Sequence, residues 1–115
     1  MEQSEALDTI RKEFATARKA RDNGNEGMVR VCARRAAGTA ISFWLLRNLR
    51  RDWGPDAISQ LRHLALDDSF PLSVREAAQH LTTKVTPQFT SPSTTDPVQE
   101  SRLIIGHLLG TTDEF

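Results

Sequence analysis

One helix-length segment constrains this chain more than any other. Between Val29 and Leu46, small and apolar residues recur on more sides of a helix than a single buried face can use. At 100° per residue, Val29, Cys32, Ala33, Ala36, Ala37, Ala40, Phe43 and Trp44 gather into one inward stripe. Leu45 and Leu46 then widen it until the end of the segment is apolar nearly all round. Such a helix is either central to its bundle or shared with a second chain. The alanines of its first half allow neighbouring helices to approach closely, and Phe43, Trp44, Leu45 and Leu46 are the surface expected to meet another copy.

The remaining segments repeat the helical period. Ser4 as an N-cap, with Glu5 and Asp8 in the first turn, opens a helix over about 5–22, and Leu7, Ile10, Phe14 and Ala17 form its apolar stripe. Asn23-Gly24 reads as its C-terminal cap, and Asn25 caps the central helix, expected over 26–51. Gly54-Pro55 ends that helix and Pro55 starts the next, over 55–66, with Ile58, Leu61, Leu64 and Ala65 inward. After Phe70-Pro71, Ser73 and Glu76 form a capping box for a helix over 74–85, which turns Val74, Ala77, Ala78, Leu81 and Val85 to one side. Residues 86–96 read as a surface loop anchored by Phe89. Asp96, Pro97 and Gln99 start a last helix over 97–109, with Val98, Ile105, Leu108 and Leu109 inward, and Gly110 stops it before a loose tail, 111–115. No segment alternates as a strand does. The expectation is one domain spanning 1–115, all-α, an antiparallel four-to-five-helix bundle.

No apolar run approaches the ~20 residues that a membrane helix needs, and the acidic start Met1-Glu2-Gln3-Ser4-Glu5 does not resemble an export signal, so the expected location is the cytoplasm. Cys32, the single cysteine, excludes an internal disulfide and a thiolate zinc cluster, and reads as a small core side chain. His63, His80 and His107 lie on three different helices without metal-ligand spacing, so neither a metal nor a cofactor is expected. The formal charge is zero, yet residues 11–51 carry eleven Lys/Arg against three Asp/Glu. That asymmetry marks either an anion-binding face or a basic helix pair packed against acidic helices.

Four arrangements bear on chemistry. Gly24-Asn25-Glu26-Gly27 could present backbone amides to a phosphate, but it lacks the Lys-Ser/Thr of a Walker loop and reads first as a tight turn. Arg30 and Arg34 lie about 40° apart on one helix and could bind phosphate together, with Arg35 about 100° further round. Arg75 and His80 pair an oxyanion-stabilising cation with a proton carrier, as RNA cleavage requires, yet in a straight helix they stand about 140° apart and would need a kink or a second subunit to converge. Glu76 and His80, four apart, share a face and read more simply as a hydrogen-bonded pair. Ser73 to Leu81 also resembles the first helix of a helix-turn-helix unit, but a prolyl segment follows where the second helix should begin, so a DNA-binding regulator ranks last.

The stretch from Ala20 to Leu45, with its Asn23-Gly24-Asn25 turn and Val31-Cys32-Ala33-Arg34-Arg35-Ala36-Ala37-Gly38-Thr39-Ala40-Ile41 helix, resembles the small HEPN-domain proteins. The final helix, introduced by Asp96-Pro97-Val98-Gln99-Glu100, extends the likeness over most of the chain. The resemblance implies a four-to-five-helix bundle, a homodimer, and for many members a nucleotidyltransferase-type protein partner. Some members are metal-independent RNases marked by Arg, four to six residues, then His, a spacing that Arg75 and His80 match. Glu76 stands where active members usually carry Asn or another polar residue. An acid beside the phosphate-binding Arg opposes cleavage, so the resemblance implies an accessory module for a partner protein, RNA or nucleotide ahead of an RNase.

Overall fold

The computed structural model describes residues 2–48, 52–83 and 96–110. Among these there are five α-helices and no strand: α1 (Gln3–Asp22), α2 (Glu26–Arg47), α3 (Ala57–Leu66), α4 (Leu72–Thr82) and α5 (Pro97–Leu109). No helix among them is long and apolar enough to cross a membrane. Of the expected loop 86–96, residues 86–95, with Phe89, lie outside the described residues, as do the tail 111–115, residues 49–51 and Val85.

α2 is the axle. It packs on α1 along one side, on α5 along another and on the start of α3, whereas α1 does not touch α3 or α4. Its buried residues, Val29, Cys32, Ala33, Ala36, Ala37, Gly38, Ala40, Ile41 and Phe43, are mostly small and cover more than one face. Ala36 and Ala40 pack with Ile10 and Phe14 of α1 and Ile105 of α5. Ala33, Ala37 and Ile41 pack with Leu61, Leu64, Val74, Ala78, Leu81 and Ile104 from the other three helices. Where α5 crosses α2, the fully buried Ser101 donates its hydroxyl to the Ala33 carbonyl at 2.8 Å. A larger side chain there would separate the helices.

The ends of the helices follow their caps. Gly24 takes φ +74°, the left-handed conformation that closes the turn after α1, and the Asn25 side chain accepts the Met28 N–H at 3.1 Å. The Gly24 to Gly27 turn thus has its own side chain on the amide that a phosphate would take. α5 starts at Pro97, with Asp96 accepting from Val98 N, and stops at Gly110 in the left-handed region.

Three starts differ from expectation. α1 begins at Gln3 with Glu2 at the cap position, so Ser4 is inside the helix, and Ala6 rather than Leu7 is fully buried. α3 begins two residues beyond Pro55, because Asp56 is the better cap: its carboxylate accepts both Ser59 N–H (2.8 Å) and Ser59 hydroxyl (3.1 Å), and these bonds hold its carboxyl below the usual range. α4 begins at Leu72, directly after Pro71, whose φ of −57° already suits a helix. The Ser73–Glu76 capping box therefore does not form. α2 ends at Arg47, before the expected 51, where Asn48 turns back to donate to the Trp44 carbonyl at 2.8 Å. α4 ends at Thr82, three residues short of the expected 85, where Thr83 takes an extended backbone.

Beyond its cap role, Asp96 ties α5 to α1. Arg21 grips it through two parallel bonds of 2.8 and 3.1 Å, and the Arg21 guanidinium, followed by the Val98 N–H, holds the Asp96 carboxyl below the usual range. A depressed carboxyl contributes stability above its ordinary pKa and loses it as pH falls through the depressed value. Asp96→Asn is expected to lower stability by about 1 kcal/mol at neutral pH and to have no such effect once the pH is well below about 4. Urea unfolding at both pH values checks this; an equal loss at both would show that the charge is not used.

Candidate functional site

The side chains expected to perform phosphate chemistry lie around α4, and each has a partner within the bundle. A helix ending at Thr82 leaves the carbonyls of its last turn without N–H donors of its own. Arg30 and Arg34, one turn apart on α2, reach across to them. Arg30 Nη2 donates to the carbonyls of His80 and, at 2.7 Å, Thr83, while Arg34 Nε donates to that of Leu81. Two cations there also face the negative end of the helix dipole. Burial pushes both guanidiniums below their ordinary pKa, with the Arg34 charge adding to the effect on Arg30, but an Arg keeps its proton at physiological pH. The expected phosphate-binding pair is thus a pair of cross-chain caps.

Arg35, the third of that set, is exposed and lines an open cleft of about 390 Å³ with Glu13, Gly38, Ser42 and Gln60. At the cleft's base the buried Gln60 amide donates to the Ser42 hydroxyl at 3.1 Å and to the Gly54 carbonyl at 3.2 Å.

Arg75 and His80 are not brought together. Arg75 folds back along α4: Nε donates to the Phe70 carbonyl at 3.1 Å and Nη1 is 3.6 Å from Asp68 Oδ1, so its guanidinium braces the α3–α4 turn. His80, at the other end of α4, faces α5 and places Nδ1 2.8 Å from Glu100 Oε1. The expected Glu76–His80 pair is replaced by this one. Glu100 is the better partner because its carboxylate is only 13% exposed and needs a hydrogen bond, whereas Glu76 points into solvent. Sequence reading missed Glu100 because the contact is between helices twenty residues apart.

The other two histidines stack on aromatic rings. His63 lies parallel to Trp53 at 6.0 Å and His107 meets Phe70 edge-on at 5.6 Å. Trp44, with ring centroids 5.4 Å from Trp53 and 5.3 Å from Phe70, joins them into one aromatic cluster. Trp53 and Phe70 are core residues that the periodic stripes do not reveal, since both stand between helices.

The surface expected to meet a second copy divides in the same way. Phe43 is 7% exposed, Trp44 and Leu45 pack partly buried against the core, and Leu46 alone is 53% exposed. Phe43 and Trp44 also border a cleft of about 350 Å³ with Gln3, Arg47, Asn48, Leu108 and Leu109. Arg47 lies 6.0 Å from the Phe43 ring centroid. Cys32 is fully buried among Ala17, Ala20 and Val29, and burial raises its thiol pKa, which opposes nucleophilic use. No three His, Cys, Asp or Glu side chains converge as metal ligands among the described residues.

No protein-family model, curated protein or solved structure matches this chain.

Proposed function

We propose that this chain is a HEPN-like binding module of the cytoplasm that pairs with a second copy and serves a partner protein or nucleotide as an accessory subunit. The observation that carries the reading is the engagement of Arg30, Arg34 and Arg75 with backbone carbonyls around α4, which gives these cations a structural task. Beside Met28 (37%) and Leu46 (53%) of α2, the large apolar side chains left in solvent are Leu66 (81%), Leu72 (60%) and Leu103 (43%) of α3, α4 and α5, and these supply a more exposed surface for pairing than Phe43 to Leu45 do. In solution the purified chain is expected to have the mass of a dimer, to become lighter with Leu72→Glu or Leu103→Glu, and to leave RNA intact. A monomer at high micromolar concentration would remove the pairing.

One observation favours the RNase alternative. Glu100 orients His80 through Nδ1, and Nε2 has no hydrogen bond among the described residues, an arrangement suited to a general base. RNA cleavage lost in both His80→Ala and Arg75→Ala would promote that reading; cleavage unchanged in both would exclude these residues from it.

A further inference from the structure

We propose that the outer face of α1 is a docking strip for the phosphate backbone of a nucleic-acid duplex. The proposal shares with the preceding reading only the premise that the chain acts by binding. It concerns a helix that α4 does not touch, so failure of the dimer and failure of the strip are separate results.

Of the two uses open to the charge asymmetry of residues 11–51, the bundle makes little of the internal one. Arg30 and Arg34 go to carbonyls and not to acids. Arg21 is paired with Asp96 and Glu26, and Arg11 with Asp8 at 3.0 Å. Lys12, Arg18, Lys19 and Arg35 are exposed and make no ion pair among the described residues.

Their placement is regular. Arg11 and Lys12 form one basic rung on α1 and Arg18 and Lys19 a second, seven residues on, which a helical rise places about 10.5 Å further along. Between the rungs the outer face carries only Ala15 and Thr16, both exposed, so nothing bulky keeps a surface away from the four cations. Of the acids nearby, Glu13 is half-buried toward the Arg35 cleft, while Asp8, which is held by Arg11, and the exposed Asp22 share this face and bound the two rungs at either end.

The composition of the strip selects its partner. A membrane-lying helix needs large apolar side chains on the face it inserts, and a protein interface needs aromatic or aliphatic anchors at its centre. Ala15 and Thr16 are neither. Single-stranded nucleic acid is bound by stacking its bases on aromatic rings, whereas the nearest ring, Phe14, is buried with the Arg102 guanidinium 5.6 Å from its centroid. A duplex turns its phosphates outward and its bases inward, and asks only for cations along a clear line. With a formal net charge of zero, the attraction comes from this face and not from the molecule as a whole.

Fluorescence anisotropy with a short labelled duplex of mixed sequence, in one arm DNA and in the other RNA, tests the strip. Three phosphate contacts, from Lys12, Arg18 and Lys19, predict an affinity that falls roughly forty-fold between about 50 and 200 mM salt. The triple variant Lys12→Gln, Arg18→Gln, Lys19→Gln is expected to bind at least about ten-fold more weakly at the lower salt and to lose most of the salt dependence. Arg62→Gln is the control, since Arg62 is exposed on α3, which does not touch α1. All four positions are on the surface, and an unchanged circular dichroism melt confirms the folds are intact. Binding in both arms assigns the strip to the shared backbone, and binding in one names the polymer. Absence of binding in both arms, tighter binding of the single strand, or an equal loss in Arg62→Gln and the triple variant would overturn the proposal.

Discussion

Arg34→Ala is expected to destabilise the bundle by about 2–3 kcal/mol, among the largest effects of any polar substitution in the chain. A hydrogen bond with a charged donor contributes about 1.5–3 kcal/mol when its partner would otherwise be left without one. The Leu81 carbonyl stands at the end of α4, where the helix cannot satisfy it, and Leu81 itself is fully buried. The cation also opposes the helix dipole, which adds about 0.3–1 kcal/mol. Arg34→Lys keeps that charge while losing the guanidinium fork and should recover less than half of the deficit. Because Arg30 and Arg34 serve adjacent carbonyls, the double variant Arg30→Ala, Arg34→Ala should cost less than the sum of the two single losses. Urea midpoints for the four proteins measure this directly. If Arg34→Ala changes stability by less than about 0.5 kcal/mol, the capping role assigned here is wrong.

Gly38→Ala should also destabilise, although alanine is the better helix former by about 1 kcal/mol. The reason is steric. A Cβ at position 38 would lie 2.8 Å from the Cβ of Ala57 and 3.4 Å from its Cα. Neither atom can rotate away, because each is fixed to its backbone. α3 must then move off α2 and disturb the Gln60 bonds to Ser42 and Gly54 beneath it. Overpacking of this kind costs about 1–3 kcal/mol, so a net loss of about 1–2 kcal/mol remains after the gain in propensity. Gly38→Val should lose more. The decisive comparison is Gly38→Ala in an Ala57→Gly background, where the obstructing methyl is gone and the substitution should become neutral or stabilising. If Gly38→Ala destabilises equally in both backgrounds, the close approach is not its cause.

The helices themselves were largely legible. Apolar spacing at three and four residues finds Ile10, Phe14 and Ala17 on α1 and Leu61 and Leu64 on α3, and all of them are buried. The caps at Asn25, Asp96 and Gly110 were readable because a cap is made by residues adjacent in sequence. Asp56 was missed for want of weighing two local signals: Pro55 suggested a start, but a carboxylate able to take two bonds from Ser59 fixed the start two residues later.

What surrounds α4 was not legible, and for one physical reason. Each of its contacts joins residues far apart in the chain: Arg30 with His80 and Thr83, Arg34 with Leu81, His80 with Glu100. Angular position on a helix states which side chains can act together on that helix, and it correctly separated Arg75 from His80. It is silent on which carbonyls of another helix an arginine will reach. The same limit applied to Phe43, Trp44 and Leu45, whose apolar excess suggested a second copy when Trp53 and Phe70, from the connections on either side of α3, were available to cover part of it.

The small side chains of α2 have a consequence for where this molecule can meet anything at all. Helices whose contacts are made by alanine and glycine lie near the lower end of the usual 8–10 Å between axes. Bundles that house a cofactor or a metal pair do so between facing helices spread wide enough to admit it. With Ala36 and Ala40 against α1, Ser101 against Ala33, and Gly38 against Ala57, the axle is gripped at close range from three directions.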